Sequence, residues 1–369
     1  MHTCCKLSKI AAIVIAGSIL LMGCNTTANT GVTAPSTVQP FTDTFTSIPV
    51  KLAPHLDGSG DDLAWQVAPA RSLDVTTNGI KPFKLTLKSV YDADSVYFLV
   101  QYPDINKDVI RSAWAYNAAK SAWERLGDDV GDEDEFGFFW NVNVPNYQAA
   151  GCAAFCHAED PNNQKMYTTS GTWVDIWQWN ATRTNPMGWA RDMRLTDNPN
   201  ANTDPAGGFV EDEGSKTNPG YADNIQTLNG KDVPLYWKPY SGASGIVAGD
   251  AIFLLQSEID AGLAKKIVQI DASGTLMDEA GNRVPWYSRI PGRILSVPSG
   301  PSWNDVKASG AWHDGVWTIE LSRRLNTGHV DDVQFDPSQT YYFDIYIKTR
   351  QAGEVDRQIV SVSKFAFGK

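Results

Sequence analysis

Cysteine is scarce in this chain: five among 369 residues, and Cys4, Cys5 and Cys24 all lie in the N-terminal stretch, which leaves Cys152 and Cys156 downstream. A disulfide-dense scaffold is therefore excluded, and a structural zinc site, which wants four ligands, finds only His157 beside the pair. Positive charge is also in short supply, with 31 Lys and Arg against 42 Asp and Glu and a formal net charge of −11. Such a surface repels nucleic acid and anionic headgroups, and it suits solubility and docking to a basic partner. There is no Gly-x-Ser-x-Gly elbow and no phosphate-binding glycine loop, so hydrolase and nucleotide chemistry have no support. No internal repeat is visible.

The N-terminus carries an export pattern. Lys6 and Lys9 give a basic start, Ile10 to Met22 an apolar run, and Leu21-Met22-Gly23-Cys24 a lipobox-like end. About 13 apolar residues are too few to span a bilayer, where roughly 20 are needed. The segment resembles bacterial lipoprotein signals, which implies cleavage after residue 23, acylation of Cys24 and, with Asn25 rather than Asp following, an outer-membrane anchor facing the periplasm or the cell surface. An ordinary cleaved signal is the alternative. Loss of Lys6 and Lys9 leaves 29 basic against 42 acidic residues, a net of −13. Residues 24–47 are rich in Thr, Ser, Pro and Ala and read as a flexible tether, so the folded part is expected over 48–369.

Strand signals dominate that part. Phe83–Tyr91 and Val96–Tyr102 flank an Asp92-Ala93-Asp94-Ser95 turn and predict a hairpin; Phe136–Val144, Ile252–Gln256, Gly315–Leu321 and Tyr341–Thr349 look similar. Ala113–Arg125 and Cys152–His157 predict short helices, and residues 193–250, rich in Gly, Pro, Asn and Asp, a loop-rich insertion. The expected fold is mainly β, a β-sandwich with long loops and a few short helices.

The chemistry centres on Gly151-Cys152-Ala153-Ala154-Phe155-Cys156-His157. Two thiols followed by an imidazole can tether a haem and ligate its iron; the usual signature is C-x-x-C-H, and here one more residue separates the thiols. In an oxidising compartment a disulfide is the competing fate, with a metal site third. Trp173, Asp175, Trp177 and Trp179 recur with period two and, with Arg183 just beyond, could wall a haem; sandwich core packing is the other reading. A sixth iron ligand is sought among the few methionines, and Met166, in a polar stretch, is the choice, with His55, His313, His329, Lys165, Lys238 and Lys307 as rivals. The acidic run Asp128–Glu135 lacks EF-hand spacing and reads as a solvated loop rather than a calcium site.

Several separated pieces then resemble one family, the haem-binding domain of ethylbenzene dehydrogenase gamma subunits and related cytochromes. They are Leu56-Asp57-Gly58 with Trp65, Gly151-Cys152 to His157, Asp175-Ile176-Trp177-Gln178-Trp179 with Arg183, Ile290 to Ile294, Asp305 to Trp317, Leu321 with Arg323 and Leu325, and Asp332-Val333-Gln334-Phe335. The resemblance implies a sandwich holding one haem, with Cys152 and Cys156 as tethers, His157 as proximal ligand, Met166 as distal ligand and Lys307 as the candidate for the family's lysine ligand. It implies an electron carrier that catalyses nothing itself and meets redox partner proteins. The same opening, Leu56-Asp57-Gly58 and Trp65, also resembles family-nine carbohydrate-binding sandwiches, which would make the chain a sugar-binding lipoprotein with a Cys152–Cys156 disulfide.

Overall fold

The computed structural model describes residues 44–75, 82–127, 132–157, 165–203, 206–212, 220–239, 253–286, 288–300, 302–351 and 354–369. The signal, Cys24 and residues 25–43 of the tether lie outside them.

The sandwich is built from strands β1 (Thr44–Pro49), β2 (Arg71–Val75), β3 (Phe83–Tyr91) and β4 (Ser95–Pro103), the hairpin β5 (Trp114–Asn117) and β6 (Ala122–Arg125) beside it, and β7 (Glu135–Asn141). A two-stranded ribbon follows, β8 (Cys156–His157) with β9 (Lys165–Met166), then β10 (Val174–Asn180), β11 (Arg191–Leu195) and β12 (Phe209–Glu211). The last strands are β13 (Lys307–His313), β14 (Val316–Arg324), β15 (Thr340–Gln351) and β16 (Glu354–Phe367). One sheet runs β12-β11-β10-β7-β15-β16-β1 and the other β1-β3-β4-β14-β13 with β2 on β3. β1 belongs to both: residues 44–47 pair parallel with Lys364 to Phe367, and Ile48 and Pro49 with Val90 and Tyr91. The first strand thus takes in residues 44–47, which the sequence reading gives to the tether.

Period-two alternation sorts the side chains. Phe98, Phe138, Trp140, Trp177, Trp179, Trp317, Phe343 and Phe365 fill the space between the sheets. Phe139, Val174 and Ile176, from the alternate positions of β7 and β10, form a second apolar layer on the outer face with Tyr147, Phe155, Met166, Met193 and Tyr346. Both central strands are therefore buried on two sides. Residue 137 must stay small, because a Cβ there would lie 2.6 Å from the Trp177 carbonyl oxygen.

The 83–102 hairpin forms as expected, its turn held by the Asp92 side chain, which accepts the amides of Asp94 and Ser95 at 2.9 and 2.8 Å. The helix expected over 113–125 is a hairpin instead. Trp114 and Trp123 sit on one face and enter a third apolar cluster with Trp237, Ile267 and Ile290, while Asn117 turns the chain by accepting the Ala119 amide. Cys152–His157 is not a helix either: a single 3-10 turn over Gly151–Ala154 leads into β8. Of the strand expected at 252–256, residue 252 lies outside the described residues, and among the rest only Leu254–Leu255 forms a strand before a helical turn, Gln256–Asp260. The expected insertion opens on β11, a full member of the main sheet, and its described remainder contributes short strands such as Tyr221–Asp223 and Lys231–Val233.

The opening motif has a structural cause. The amides of Asp57 and Gly58 donate to Glu320 Oε2 at 3.0 and 2.6 Å, and Trp65 Nε1 donates to Oε1 at 2.7 Å, so three donors close on one buried carboxylate. Gly58 is required twice over, by its φ of +82° and by an Ala311 nitrogen 2.7 Å from where a Cβ would stand. Glu320→Ala is expected to lower the unfolding free energy by about 3 kcal/mol in urea titration, since it strands three donors. A loss below roughly 1 kcal/mol would show that the cradle is not a stabilising element.

Candidate functional site

The residues expected to share one haem are distributed over separate places. Cys152 and Cys156 are joined to each other as a disulfide. In the ribbon, Cys156 pairs with Met166 and His157 with Lys165. Cross-strand partners share a side of the ribbon and successive residues alternate, so Met166 and His157 point to opposite sides. Met166 is 2% exposed and packs in the outer apolar layer. The His157 ring stacks on Tyr167 at 3.7 Å between centroids, and its Nε2 lies 3.3 Å from the Tyr167 carbonyl oxygen. Two ligands on opposite faces cannot clasp one iron, and the thiols are already joined. The residues do not fit a thioether-bound haem, and the reading of the chain as a c-type cytochrome is corrected on that ground.

The other expected wall and ligand residues agree with this correction. Trp177 and Trp179 are sandwich core, with Trp177 edge-on to Phe98 and Phe138, and Trp179 edge-on to Trp317. Trp173 precedes β10 and is half-buried. Lys307 opens β13 and donates to the Asn304 carbonyl at 2.8 Å. Among the rivals, Lys165 donates to Asn200 at 2.6 Å and Lys238 to Glu258 at 2.5 Å, while the His55 side chain is 83% exposed beside Asp57. His313 is exposed at the end of β13, and His329 is half-buried.

Asp175 and Arg183, expected beside the cofactor, each anchor a buried charge cluster. Arg183 is paired through Nε with Glu133 and through Nη2 with Glu135 at 3.1 Å, while Glu133 Oε2 accepts the amides of Thr182 and Arg183, each at 3.0 Å. Lys348 reaches Asp132 at 2.5 Å and Glu135 at 3.4 Å; Arg111 reaches Asp132 at 2.6 Å. Burial would raise the Glu135 carboxyl, but Lys348, Arg183 and Arg111 together hold it well below its usual range. The described half of the acidic run, Asp132 to Glu135, is therefore a buried ionic knot and not a solvated loop; residues 128–131 lie outside the described residues.

The second cluster surrounds Arg323, whose side chain is fully buried and lies 4.6 Å over the Trp177 ring. Its Nη1 meets Asp175 Oδ2 at 2.8 Å, Asp192 Oδ2 at 3.4 Å and Asp332 Oδ1 at 3.7 Å. Asp175 Oδ2 also accepts the Val333 amide at 2.8 Å. One carboxylate oxygen from each of Asp175, Asp192 and Asp332 lies within 4.8 Å of the others. Burial, with Asp175 next to it, pushes Asp192 well up, and burial raises Asp332 to about 6. Burial opposes charge on Arg323, but Asp175, Asp192 and Asp332 keep it firmly protonated.

Sequence reading missed Asp192 and Lys348 outright and quoted Arg323 and Asp332 only as fragments of the resemblance. The available signal was a lone charge in an apolar strand: Lys348 and Asp344 interrupt the run of β15.

Nothing among curated proteins matches. Among solved structures, the chain is similar to a carbohydrate binding module of family 9 from Caldicellulosiruptor kristjanssonii in complex with cellotriose, at 8% identity, covering 87% of this chain and 92% of that one, with a TM-score of 0.33. The glucose complex of such a module from the same organism gives 7%, 87%, 94% and 0.33. A protein of Bacteroides uniformis described as carbohydrate-binding gives 7%, 88%, 99% and 0.34. A family model described as ethylbenzene dehydrogenase matches residues 62–345, most of the chain, and by that match the protein belongs to the ethylbenzene dehydrogenase family.

Proposed function

We propose that this protein is a non-catalytic carbohydrate-binding lipoprotein of the cell envelope, anchored through Cys24, with Cys152–Cys156 as a structural cystine. The observation that carries the reading is Trp286, 69% exposed and the one aromatic among the exposed large hydrophobics of the described residues. It follows Asn282 and Arg283, also exposed, so one short segment carries an exposed indole and exposed hydrogen-bonding side chains. A sugar ring needs that combination: its C–H face stacks on an indole, and its hydroxyls need polar partners. A net acidic chain favours neutral polysaccharide over anionic polymers.

Affinity electrophoresis through gels carrying neutral polysaccharides tests the reading. Retardation of the wild type is expected on at least one, with Trp286→Ala binding roughly tenfold more weakly at unchanged melting temperature. A wild type retarded by none, or a Trp286→Ala protein retarded equally, overturns it. The cystine has its own test. Closing so short a ring stabilises by about 2 kcal/mol in the chain-entropy treatment, so the Cys152→Ser, Cys156→Ser double variant should stay folded and lose about that much in urea titration.

A further inference from the structure

The carboxylates around Arg323 outnumber the cations that face them. Asp175, Asp192, Asp305 and Asp332 all act on Arg323, and Asp212 and Asp331 adjoin them with Arg194 as their partner. Six acids thus face two guanidiniums, with His329 near Asp305 as the remaining titratable neighbour. Arg323 takes one oxygen each from Asp175 and Asp192 and leaves the other: Oδ1 of Asp175 and Oδ1 of Asp192 are fully buried and meet no N–H or hydroxyl donor, with the Asp192 carboxyl lying against those of Asp175 and Asp305, and Oδ1 of Asp332, 3.7 Å from Arg323 Nη1, makes no hydrogen bond. Asp332 spends Oδ2 on Thr327. Asp212, just past the end of β12 and 2% exposed, gives Oδ1 to Arg194 at 3.2 Å and leaves Oδ2 without a partner. Buried carboxylate oxygens left unpaired are costly unless something charged meets them.

We propose that this cluster binds one hard divalent cation, Ca²⁺ by its chemistry, held by Asp175 of β10, Asp192 of β11 and Asp332 of the loop after β14. The donors are all oxygen, they come from three elements that the sandwich brings together, and their mutual spacing within 4.8 Å suits a cation that takes oxygen ligands at about 2.3–2.6 Å. Arg323 fixes Asp175 and Asp192 from one side and leaves their second oxygens for the ion, while Asp332 offers Oδ1, which lies 3.7 Å from Arg323 Nη1. Bound there, the ion ties β10 and β11 to the loop that carries Val333 and Phe335 into the core. The inference is independent of the sugar reading.

Mature full-length protein stripped with EDTA tests it, with Tb³⁺ as a luminescent probe excited through Trp177, which lies against Arg323. Saturable luminescence at one ion per chain, displaced by Ca²⁺, is expected, as is a melting temperature raised by about 5 °C at a hundredfold excess of Ca²⁺ over its Kd. Asp192→Asn should melt no lower than stripped wild type, because it relieves like-charge repulsion, yet show neither luminescence nor a Ca²⁺ response. Asp332→Asn serves the same purpose if that variant does not fold. A wild type without luminescence or thermal response, or an Asn variant that responds as the wild type does, overturns the site.

Discussion

Arg323→Met is expected to lower the unfolding free energy of the metal-free protein by about 3–5 kcal/mol, the usual cost of removing one partner from a buried charge group. The methionine fills much of the same volume, so cavity formation is a minor part of the loss. What remains is electrostatic: Asp175 and Asp192 keep their burial and lose the guanidinium at 2.8 and 3.4 Å. The Val333 carbonyl, to which Arg323 Nη2 donates at 2.5 Å, also loses its donor. The contact over Trp177 disappears as well. Urea titration at pH 7 in EDTA measures the sum. A loss under about 1 kcal/mol would mean that the cluster is already neutralised by protons and that Arg323 is incidental.

Stability is expected to fall as pH rises from 5 to 8, the reverse of common acid-labile behaviour. Burial lifts Asp104 to about 6 and Asp344 to about 7, while in the unfolded chain both return to 3.8. Asp344 lies opposite Phe139 on the outer face of the sheet; among the described residues neither of its oxygens has a partner at hydrogen-bonding geometry, and the Tyr147 hydroxyl and the Cys152 amide lie toward it. Asp104 accepts from Thr349 at 2.5 Å and faces Asp134, which burial and Asp104 itself hold protonated. Between the unfolded and folded values the native chain binds more protons than the unfolded one, so unfolding free energy drops with pH by about 1.4 kcal/mol per unit for each group. The stability present near pH 5 is lost through pH 6–7, on the order of 5 kcal/mol for both groups together. Glu135 has the opposite sign, but its folded value is so low that its contribution disappears only in strong acid. Urea midpoints at pH 5, 6, 7 and 8 in EDTA read the slope, and Asp104→Asn and Asp344→Asn should each flatten it. A midpoint that climbs between pH 5 and 7 would contradict the burial of these protons.

The sequence made some of this legible and concealed the rest for identifiable reasons. The β3–β4 hairpin was readable because Asp92 is a local device that turns the chain regardless of distant contacts. Trp177 and Trp179 were correctly placed on one face by period two, but period does not say what that face meets, and it meets Phe98, Phe138 and Trp317 rather than a cofactor. Residues 113–125 read as a short amphipathic helix, whereas Trp114 and Trp123 alternate across a hairpin into a cluster formed with residues more than a hundred positions later. The charged knots were the least legible part. The acidic run read as a solvated loop and Asp175 as part of a cofactor wall, while the Asp175–Arg323 contact spans 148 positions. Thiol chemistry was ambiguous in principle, because spacing allows both a cystine and a pair of thioethers.

Cys152 and Cys156 are spent on each other. Intact-mass measurement on mature protein taken from the envelope, with alkylation before and after reduction, tests it most directly. No alkylation until reduction and two labels after it, with no added porphyrin mass, are expected. A chain that takes no label in either state and keeps a porphyrin mass and a Soret band through denaturation would contradict it.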